Sequence, residues 1–421
     1  MHVEPIRCLR PAPDRAAHFV SLPYDVFTRA EARSYVEAHP TSFLAIDRPE
    51  TSFSPDHDPY APDVYQRARD LLDERVSDGT LVRDDEPCYY VIRMEQDGHR
   101  QTGIAGGIAV EDYETGVVAR HEVTLAAKEA DRISHIRATD AQTGPIFCAY
   151  RDQPALDGLM AHAMEGLPLY DFFDEQGLRH VVWRVSAHGD VVAMRDAFAR
   201  LPRAYIADGH HRAASAVRVC QERREAARAA GRSSSEAARA DAPWNHFLAM
   251  LFPASQLRVL PYNRVVADDG GLEPAELDAA LAATGLTAGP PQASPARPRA
   301  RGEMGLYHEG AWRALRRRDP SLTGDDPVES LDVSFLQSHV LEPVFGIANP
   351  REDPRLSFVG GSAETGELER RAGARGVAFL MHETGIDELM AVSDAGRLMP
   401  PKSTWFEPKL RSGLLIRSLT R

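Results

Sequence analysis

The chain has 421 residues, of which 43% are hydrophobic and 26% charged, and its formal net charge at pH 7 is −13. A chain of this length buries a large core and is long enough for two or three domains. Because binding to nucleic acid phosphates needs a basic surface, the acidic balance argues against a nucleic-acid partner. No apolar run approaches the ~20 residues of a membrane helix. The N-terminus also lacks the pattern of a signal peptide, so we expect a cytoplasmic protein.

The cysteine positions predict neither a metal site nor a disulfide framework. No two of the four cysteines have the Cys-x-x-Cys spacing of a structural zinc site or a redox dithiol. A disulfide framework is equally unexpected in a reducing compartment. We expect buried thiols at Cys8, Cys88, Cys148 and Cys220.

Apolar periodicity and local turn signals predict a mixed α/β chain. Thr28 and Glu31 match a capping box, and Asp97-Gly98 favours a tight hairpin turn. Strands are predicted at residues 42–46, 88–94, 102–110, 146–147, 178–185, 247–252, 256–260 and 376–381. Helices are predicted at residues 28–39, 64–76, 190–200, 331–344 and 384–392, with an interrupted helix over 221–243. Residues 289–302, with four prolines and three arginines, predict a linker or an exposed loop.

A first chemically dense segment covers residues 120–132. If this segment is helical, Lys128 and Arg132 lie four residues apart on one face, which His135 continues. Two neighbouring cations repel each other unless they share an anion. The alternative is a solvated helix in which Glu129 and Asp131 are the local partners of the cations.

The densest segment covers residues 204–217. A short apolar run of strand character breaks at Asp208-Gly209 and continues as an Ala-rich, helix-favouring stretch. A strand that enters a helix through a glycine leaves several backbone N–H groups unpaired at the helix start, where they attract phosphate. Arg212, in the first turn, adds a forked cation suited to phosphate or carboxylate oxygens.

A structural interpretation of the same residues is possible. Asp208 can be a helix cap, and a histidine in a helix is more often on the surface or in a satisfied core than catalytic. Capping, however, needs only one of the five residues from Asp208 to Arg212. The combination therefore favours a site.

The third dense segment lies near the C-terminus. Prolines hold residues 399–409 extended, and Lys402 adds a cation to the hydrogen-bonding and stacking side chains of Ser403, Thr404 and Trp405. The alternative is a surface strap that only stabilises the fold.

These segments together resemble the signatures of domain-of-unknown-function family 1015, found in bacteria and archaea. The resemblance spans the chain from about residue 10 to its end, and it depends on residues 22–26, 120–132, 205–212 and 399–406 in that order. Residues 208–212 are also similar to the helix-start motif of the ParB and sulfiredoxin superfamily, which includes free serine kinases. That second resemblance implies a helix start that holds nucleotide phosphates. Relatives outside the kinases bind CTP and act on DNA, so fold likeness alone does not choose among activities.

We therefore expect an α/β or α+β protein with a ParB/sulfiredoxin-like nucleotide-binding core over residues 1–220. A second α/β region would cover residues 221–398, and a C-terminal strap, residues 399–421, would return to the site. The predicted function is transfer of a phosphoryl group from ATP or ADP, with Mg²⁺, to the hydroxyl of a small molecule such as a free amino acid. No Gly-x-x-x-x-Gly-Lys-Ser/Thr loop is present, which excludes a P-loop enzyme.

Phosphoryl transfer needs cations and N–H groups around the phosphate and a carboxylate that holds Mg²⁺ or accepts the hydroxyl proton. The predicted phosphate-binding residues are Gly209, Arg212, Lys128, Arg132 and Lys402. The predicted catalytic residues are Asp208, His210, His211 and Glu122. The predicted substrate-binding residues are Tyr24, Asp25, Ser403, Thr404 and Trp405.

Two other functions stay open. One is a nucleotide-binding switch or scaffold of the ParB kind, without turnover. The other is a metal-dependent hydrolase built on Asp208, the two histidines, His121 and Glu122. The spacing argues against the hydrolase and no metal site is predicted, because adjacent helical side chains point about 100° apart, whereas zinc-binding helices place their ligands at i and i+4.

Overall fold

The computed structural model describes residues 1–231, 242–319, 325–361 and 365–420. Its α-helices are α1 Ala16–Phe19, α2 Arg29–Ala38, α3 Leu44–Asp47, α4 Pro62–Ser77, α5 Val110–Glu114, α6 Ala126–Thr139, α7 Pro154–Ala163, α8 His188–Ala199, α9 His210–Ala229, α10 Pro274–Ala283, α11 Asp332–Leu336, α12 Glu342–Phe345, α13 Thr365–Ala372 and α14 Ile386–Asp394. A π-helical turn, Gln337–Leu341, joins α11 to α12, and a 3₁₀ turn covers Tyr24–Val26.

Several strands pair antiparallel with the next strand along the chain. They are β1 Val3–Glu4, β2 Cys8–Pro11, β3 Leu81–Arg83, β4 Tyr89–Gln96, β5 His99–Ala109, β6 Val118–Ala119, β7 Ala141–Gln142, β8 Ile146–Tyr150, β9 Tyr170–Phe173, β10 Arg179–Val185, β11 Ala204–Asp208, β12 His246–Pro253, β13 Arg258–Leu260, β14 Tyr262–Val266, β15 Leu286–Ala288, β16 Glu303–His308, β17 Ala311–Arg317, β18 Leu356–Gly360, β19 Val377–Met381, β20 Trp405–Glu407 and β21 Ile416–Ser418. The predicted mixed α/β class is confirmed.

Local signals in the sequence located several elements correctly. The capping box at the start of α2 is complete, since Thr28 accepts from the Glu31 N–H and the Glu31 carboxylate accepts from the Thr28 N–H. The β4–β5 hairpin turns through Asp97 and Gly98, both with positive φ (51° and 76°). This left-handed pair is the turn that an Asp-Gly step favours.

Two predictions about elements are corrected by the structure. Residues 42–46 were expected to form a strand, but Leu44–Asp47 is a short helix whose residues are all buried. A short apolar run buried on all sides does not distinguish a strand from a helix by its pattern. The helix considered for residues 120–132 begins only at Ala126, so it includes Lys128 and Arg132 but not residues 120–125. An interrupted helix was predicted over residues 221–243. Its first part belongs to α9, which ends at Ala229, and residues 232–241 lie outside the described part of the chain.

The chain divides into two compact units. The first comprises Met1–Arg120, Thr124–Leu257 and Pro408–Arg421, and the second comprises His121–Val123 and Arg258–Glu407. The predicted loop over residues 289–302 is confirmed as a connection between β15 and β16 of the second unit, broken only by an isolated bridge at Gln292.

The first unit is built on a large mixed sheet. Its strand order is β6-β11-β8-β12-β5-β4-β10-β9, with β1 added to β5. The β6–β11 and β8–β12 pairs are parallel, and the other pairs are antiparallel. Apolar side chains of α7, α8 and α9 form one core cluster with this sheet, including Met160, Phe198 and Val217. A smaller sheet of order β3-β2-β21-β7 completes the unit.

The second unit has its own sheet and core. The strand order is β15-β17-β16-β19-β14-β18, and β13 pairs separately with β20. Trp312, fully buried, lies in a cluster with Val265, Val359 and Leu368 of α13. A helix packed on a sheet in this way gives the second unit an apolar core independent of the first.

Candidate functional site

The turn between β11 and α9 is the centre of the candidate site. Gly209 has φ 95° and ψ 29°, a left-handed conformation that strains any residue with a side chain. The strand is irregular just before the turn, where its pairing with β8 shifts register between Ile206 and Asp208. The helix that follows has 20 residues, and no side chain caps its start among the described residues. Its first backbone hydrogen bond runs from the Ala213 N–H to the Gly209 carbonyl, 2.9 Å. The N–H groups before Ala213 belong to the first turn, which is the part of a helix where anions bind.

The Arg212 guanidinium is held beside this turn by backbone groups. Its Nη1 donates to the Pro145 carbonyl at 2.7 Å. A Cβ on Gly209 would lie 3.0 Å from Nε and from Nη2, and a Cβ on Gly144 would lie 3.2 Å from Nη1. Two glycines thus make room for the guanidinium. The side chain is 13% exposed, and its Nη2 lies 3.9 Å from Oδ1 of Asp208, beyond hydrogen-bonding distance.

Asp208 is engaged by a second cation. Its Oδ2 accepts from Nζ of Lys409 at 2.9 Å. Burial raises the pKa of Asp208, but the charges of Lys409 and Arg212 outweigh burial and hold the pKa well below its ordinary value. The carboxylate therefore stays ionised throughout the physiological range.

Tyr24 and Arg132 form the opposite part of the site. The Arg132 guanidinium lies over the Tyr24 ring, 4.0 Å from the ring centroid. Its Nη2 lies 2.8 Å from Oδ2 of Asp131, and its Nη1 lies 3.8 Å from Oδ1 of Asp47. Arg132 is thus a buried cation with one close carboxylate and one distant one.

A cavity joins these residues. Its enclosed volume is about 30 Å³, and about 430 Å³ when the open space at its mouth is included. The enclosed part holds one or two water molecules. Charged and polar groups line it together with the apolar Ile146 and Leu248; they are Tyr24, Asp47, Arg132, His135, Thr143 and Arg212. The structure therefore brings together Tyr24, Arg132 and Arg212, three of the residues predicted from sequence.

The other predicted residues of the first unit lie around this group. His211 Nε2 accepts from the Leu125 N–H at 2.9 Å, at the start of α6, and so links the beginnings of α6 and α9. His210 is buried, 4% exposed. Asp25 and Lys128 are exposed. The catalytic and binding roles predicted for these four side chains stay predictions.

The remaining predicted residues belong to the second unit. Ser403 is buried and donates to the Pro400 carbonyl at 2.7 Å, while the exposed Lys402 has φ 58° and its Nζ lies 5.5 Å from the Tyr262 ring centroid. Trp405 donates from Nε1 to Glu407 and lies flat on Gly360 and Gly361. Thr404 and Glu122 are partly buried. The His121 carbonyl accepts from the Met399 N–H at 2.8 Å, so the residue before Glu122 lies beside the start of the predicted strap.

Four polar residues of the cavity had no site role in the sequence analysis, namely Asp47, His135, Gln142 and Thr143. Asp47, 2% exposed, accepts from Thr143 Oγ1 at 3.0 Å. The signal was present, since Asp47 is an acid directly after an apolar run and Thr143 precedes the Gly-Pro step that opens β8. His135 also lines the cavity, and its Nε2 lies 2.8 Å from the Ile46 carbonyl. Burial and the nearby Arg132 charge lower the pKa of His135.

The described residues were also compared with the requirements of a metal site and of a membrane-spanning helix. No group of three or more His, Cys, Asp or Glu side chains among them is arranged to hold a metal ion, so no described cluster supports the hydrolase alternative. None of the described helices combines the length and apolar character needed to cross a membrane.

Comparison with known proteins assigns the chain to a family. A family model described as "Protein of unknown function (DUF1015)" matches residues 3–334. The chain belongs to the DUF1015 family. The family assignment made from the sequence is therefore confirmed, by a match that covers residues 22–26, 120–132 and 205–212 and ends before residues 399–406. None of the curated proteins compared with the chain matches it.

Several solved structures are similar in part to this DUF1015 chain. SbnI with a C-terminal truncation, from Staphylococcus aureus, is 13% identical, covers 75% of this chain and 89% of its own, and has a TM-score of 0.37. A free serine kinase in complex with AMP is 13% identical, with coverage of 73% and 90% and a TM-score of 0.34. A conserved hypothetical protein from Pyrococcus furiosus is 11% identical, with coverage of 74% and 94% and a TM-score of 0.32.

Proposed function

We propose that this DUF1015 protein binds a nucleotide at the cavity bordered by Tyr24, Arg132 and Arg212, and transfers a phosphoryl group to the hydroxyl of a small molecule such as a free amino acid. The observation that carries the proposal is the position of Arg212, in the first turn of a 20-residue helix and in the cavity wall. Backbone N–H groups at a helix start together with a guanidinium are a recurrent way to hold phosphate. The resemblance of residues 208–212 to the ParB/sulfiredoxin helix-start motif supports the same ligand.

The two arginines of the cavity lie far enough from the carboxylates of Asp208 and Asp47 for a bound anion to take the place of those carboxylates. The Arg212 guanidinium lies 3.9 Å from the Asp208 carboxylate and the Arg132 guanidinium lies 3.8 Å from the Asp47 carboxylate, so neither of these contacts is a hydrogen bond. Arg132 does donate to the Asp47 backbone carbonyl, at 3.4 Å. An anion between the two guanidinium groups replaces long contacts with short, charge-assisted ones.

The residues present fit a nucleotide with Mg²⁺. When bound, the nucleotide supplies the phosphoryl group to be transferred. Mg²⁺ is commonly held by one or two carboxylates together with phosphate oxygens, and Asp47 and Asp208 are the candidate ligands. A carboxylate whose pKa is held low is a weak base. Asp208, whose pKa is held low by Lys409 and Arg212, is therefore a poor proton acceptor, and we assign it charge compensation and metal binding only.

The second candidate function is a nucleotide-binding switch without turnover. The observation that favours it is the ion pair of Asp208 with Lys409 at 2.9 Å, which engages the carboxylate of the motif. A site of this kind would bind and release nucleotide with no acceptor for the phosphoryl group.

A turnover assay separates the candidates. Purified protein is incubated with ATP or ADP, Mg²⁺ and free serine or homoserine, and phosphorus NMR detects the products. The proposal predicts a phosphorylated alcohol with the wild type and with Arg137→Ala, which removes an exposed guanidinium that pairs with Glu222. It predicts no product with Arg212→Ala or Asp47→Asn. Nucleotide binding without any product supports the switch, and a protein that neither binds nor consumes nucleotide overturns both proposals.

A further inference from the structure

A second pocket of the first unit is larger and more cationic than the candidate site. Its volume is about 410 Å³. Among the described residues, four arginines and one acid line it, namely Arg7, Arg83, Arg195, Arg417 and Glu4. None of its lining residues belongs to the cavity that contains Arg212. In a chain with a net charge of −13, this local excess of guanidinium groups is unexpected.

The small sheet of the first unit positions three of these arginines. Arg83 ends β3, Arg7 directly precedes β2, and Arg417 is the middle residue of β21. These strands are neighbours in the sheet, since Leu9 pairs with Arg83 and Cys8 pairs with Arg417. The register places Arg83 on the Leu9 face of the sheet and Arg417 on the opposite, Cys8 face, and the pocket reaches all three arginines.

Arg417 is a buried cation without a carboxylate partner among the described residues. It is 7% exposed and donates to the carbonyls of Pro243 and His246. The buried Arg411, by contrast, pairs with Asp174 at 2.6 Å. Carbonyl oxygens carry no net charge, and a buried charge is costly unless it is paired. An anion in the pocket would supply the missing partner.

The other titratable groups in the described lining, His246 and Glu4, do not neutralise the positive charge of the pocket. Burial, followed by the Arg417 charge, lowers the pKa of His246 to about 3, so this histidine adds no charge at neutral pH. Glu4, the one acid of the lining, already pairs with Arg195 at 2.8 Å. Its carboxylate therefore compensates Arg195 and leaves Arg7, Arg83 and Arg417 for a ligand.

We infer that this pocket is a second binding site, for a small polyanion that carries phosphate or carboxylate groups. Guanidinium groups bind both kinds of oxyanion through paired hydrogen bonds. The volume lies within the range of ~300–1,000 Å³ that small-molecule sites occupy. The site does not depend on the proposed function, because the two pockets share no residue.

Isothermal titration calorimetry with pyrophosphate and with citrate tests the inference. The test variant is Arg7→Ala/Arg83→Ala. The matched control is Arg67→Ala/Arg100→Ala, which also removes two charges, because those side chains pair with Glu74 and Glu95 outside the pocket. Arg212→Ala reports on the first cavity. Circular dichroism checks that every variant is folded.

We expect at least one probe to bind the wild type, the matched control and Arg212→Ala with similar affinity. The test variant should bind at least tenfold more weakly. The tighter probe then identifies phosphate or carboxylate as the preferred chemistry. Absence of binding to the wild type, equal binding to the test variant, or a loss confined to Arg212→Ala would each overturn the inference.

Discussion

The two glycines that flank the Arg212 guanidinium allow a sharp test of how this side chain is held. A Cβ on Gly144 would lie 3.2 Å from Nη1 of Arg212, and a Cβ on Gly209 would lie 3.0 Å from Nε and Nη2. Both distances are shorter than ordinary carbon–nitrogen packing contacts, so the guanidinium must move away. Because nucleotide binding is assigned to this guanidinium, both Gly→Ala variants should bind nucleotide more weakly.

The two substitutions differ in what they do to the fold. Gly209 has a positive φ of 95°, which costs a residue with a side chain about 1–2 kcal/mol. Alanine also stiffens the unfolded chain and recovers about 0.4–1 kcal/mol. The net loss of unfolding free energy for Gly209→Ala is therefore about 1 kcal/mol. Gly144 has no such φ, so Gly144→Ala should leave stability almost unchanged.

Gly116→Ala is the matched control, since Gly116 has φ 80° and a Cβ there would meet nothing within 4 Å. Urea denaturation measures stability, and calorimetric titration with ADP measures binding. We expect Gly116→Ala to lose about 1 kcal/mol of stability and no affinity. Gly144→Ala should lose at least tenfold in affinity, about 1.4 kcal/mol. Wild-type affinity in Gly144→Ala and Gly209→Ala, with stabilities as expected, would refute the assignment of Arg212.

The remaining predictions concern three other side-chain contacts. Tyr24→Leu should weaken nucleotide binding while Tyr24→Phe keeps it, because the ring and not the hydroxyl supports Arg132; equal losses in titration would contradict this. Burial raises the pKa of Asp174, but hydrogen bonds and charge from His180 and Arg411 outweigh burial and lower the pKa to about 2. Asp174 therefore contributes about 2 kcal/mol of stability above pH 4, and this contribution disappears as the pH falls towards 2; urea unfolding of wild type and Asp174→Asn should converge over that interval, and a constant difference would contradict it. In the second unit, Gly360→Ala should cost about 1–3 kcal/mol, because its Cβ would lie 2.3 Å from Cε3 of Trp405; near-UV circular dichroism of the melt should record the loss, and an unchanged melting temperature would contradict it.

Much of the fold was predictable because many of its signals are local. The Thr28 capping box, the Asp97-Gly98 turn and the Gly209 break between strand and helix each depend on neighbouring residues only. The strand predicted at residues 42–46 was wrong for the opposite reason. Their apolar run is buried on all sides, and only tertiary packing decided between strand and helix.

The sequence indicated two charged residues of the site, but it did not indicate which other residues the fold brings next to them. Arg212 and Arg132 stood out as cations beside helix signals, and both line the cavity. Asp47 and Thr143 come from two further segments and meet at 3.0 Å only through the fold. Asp208 accepts from Lys409, and His211 accepts from the Leu125 N–H. Both contacts join residues far apart in the chain, so no local sequence pattern reveals them.

The central claim is that the start of α9 and Arg212 hold the phosphates of a nucleotide. Calorimetric titration of the wild type, Arg212→Ala and Arg137→Ala with ADP and with ATP tests it most directly. The account predicts one nucleotide per chain for the wild type and for Arg137→Ala, and no measurable binding for Arg212→Ala with its fold intact. Equal binding by Arg212→Ala, or no binding by the wild type, would contradict it.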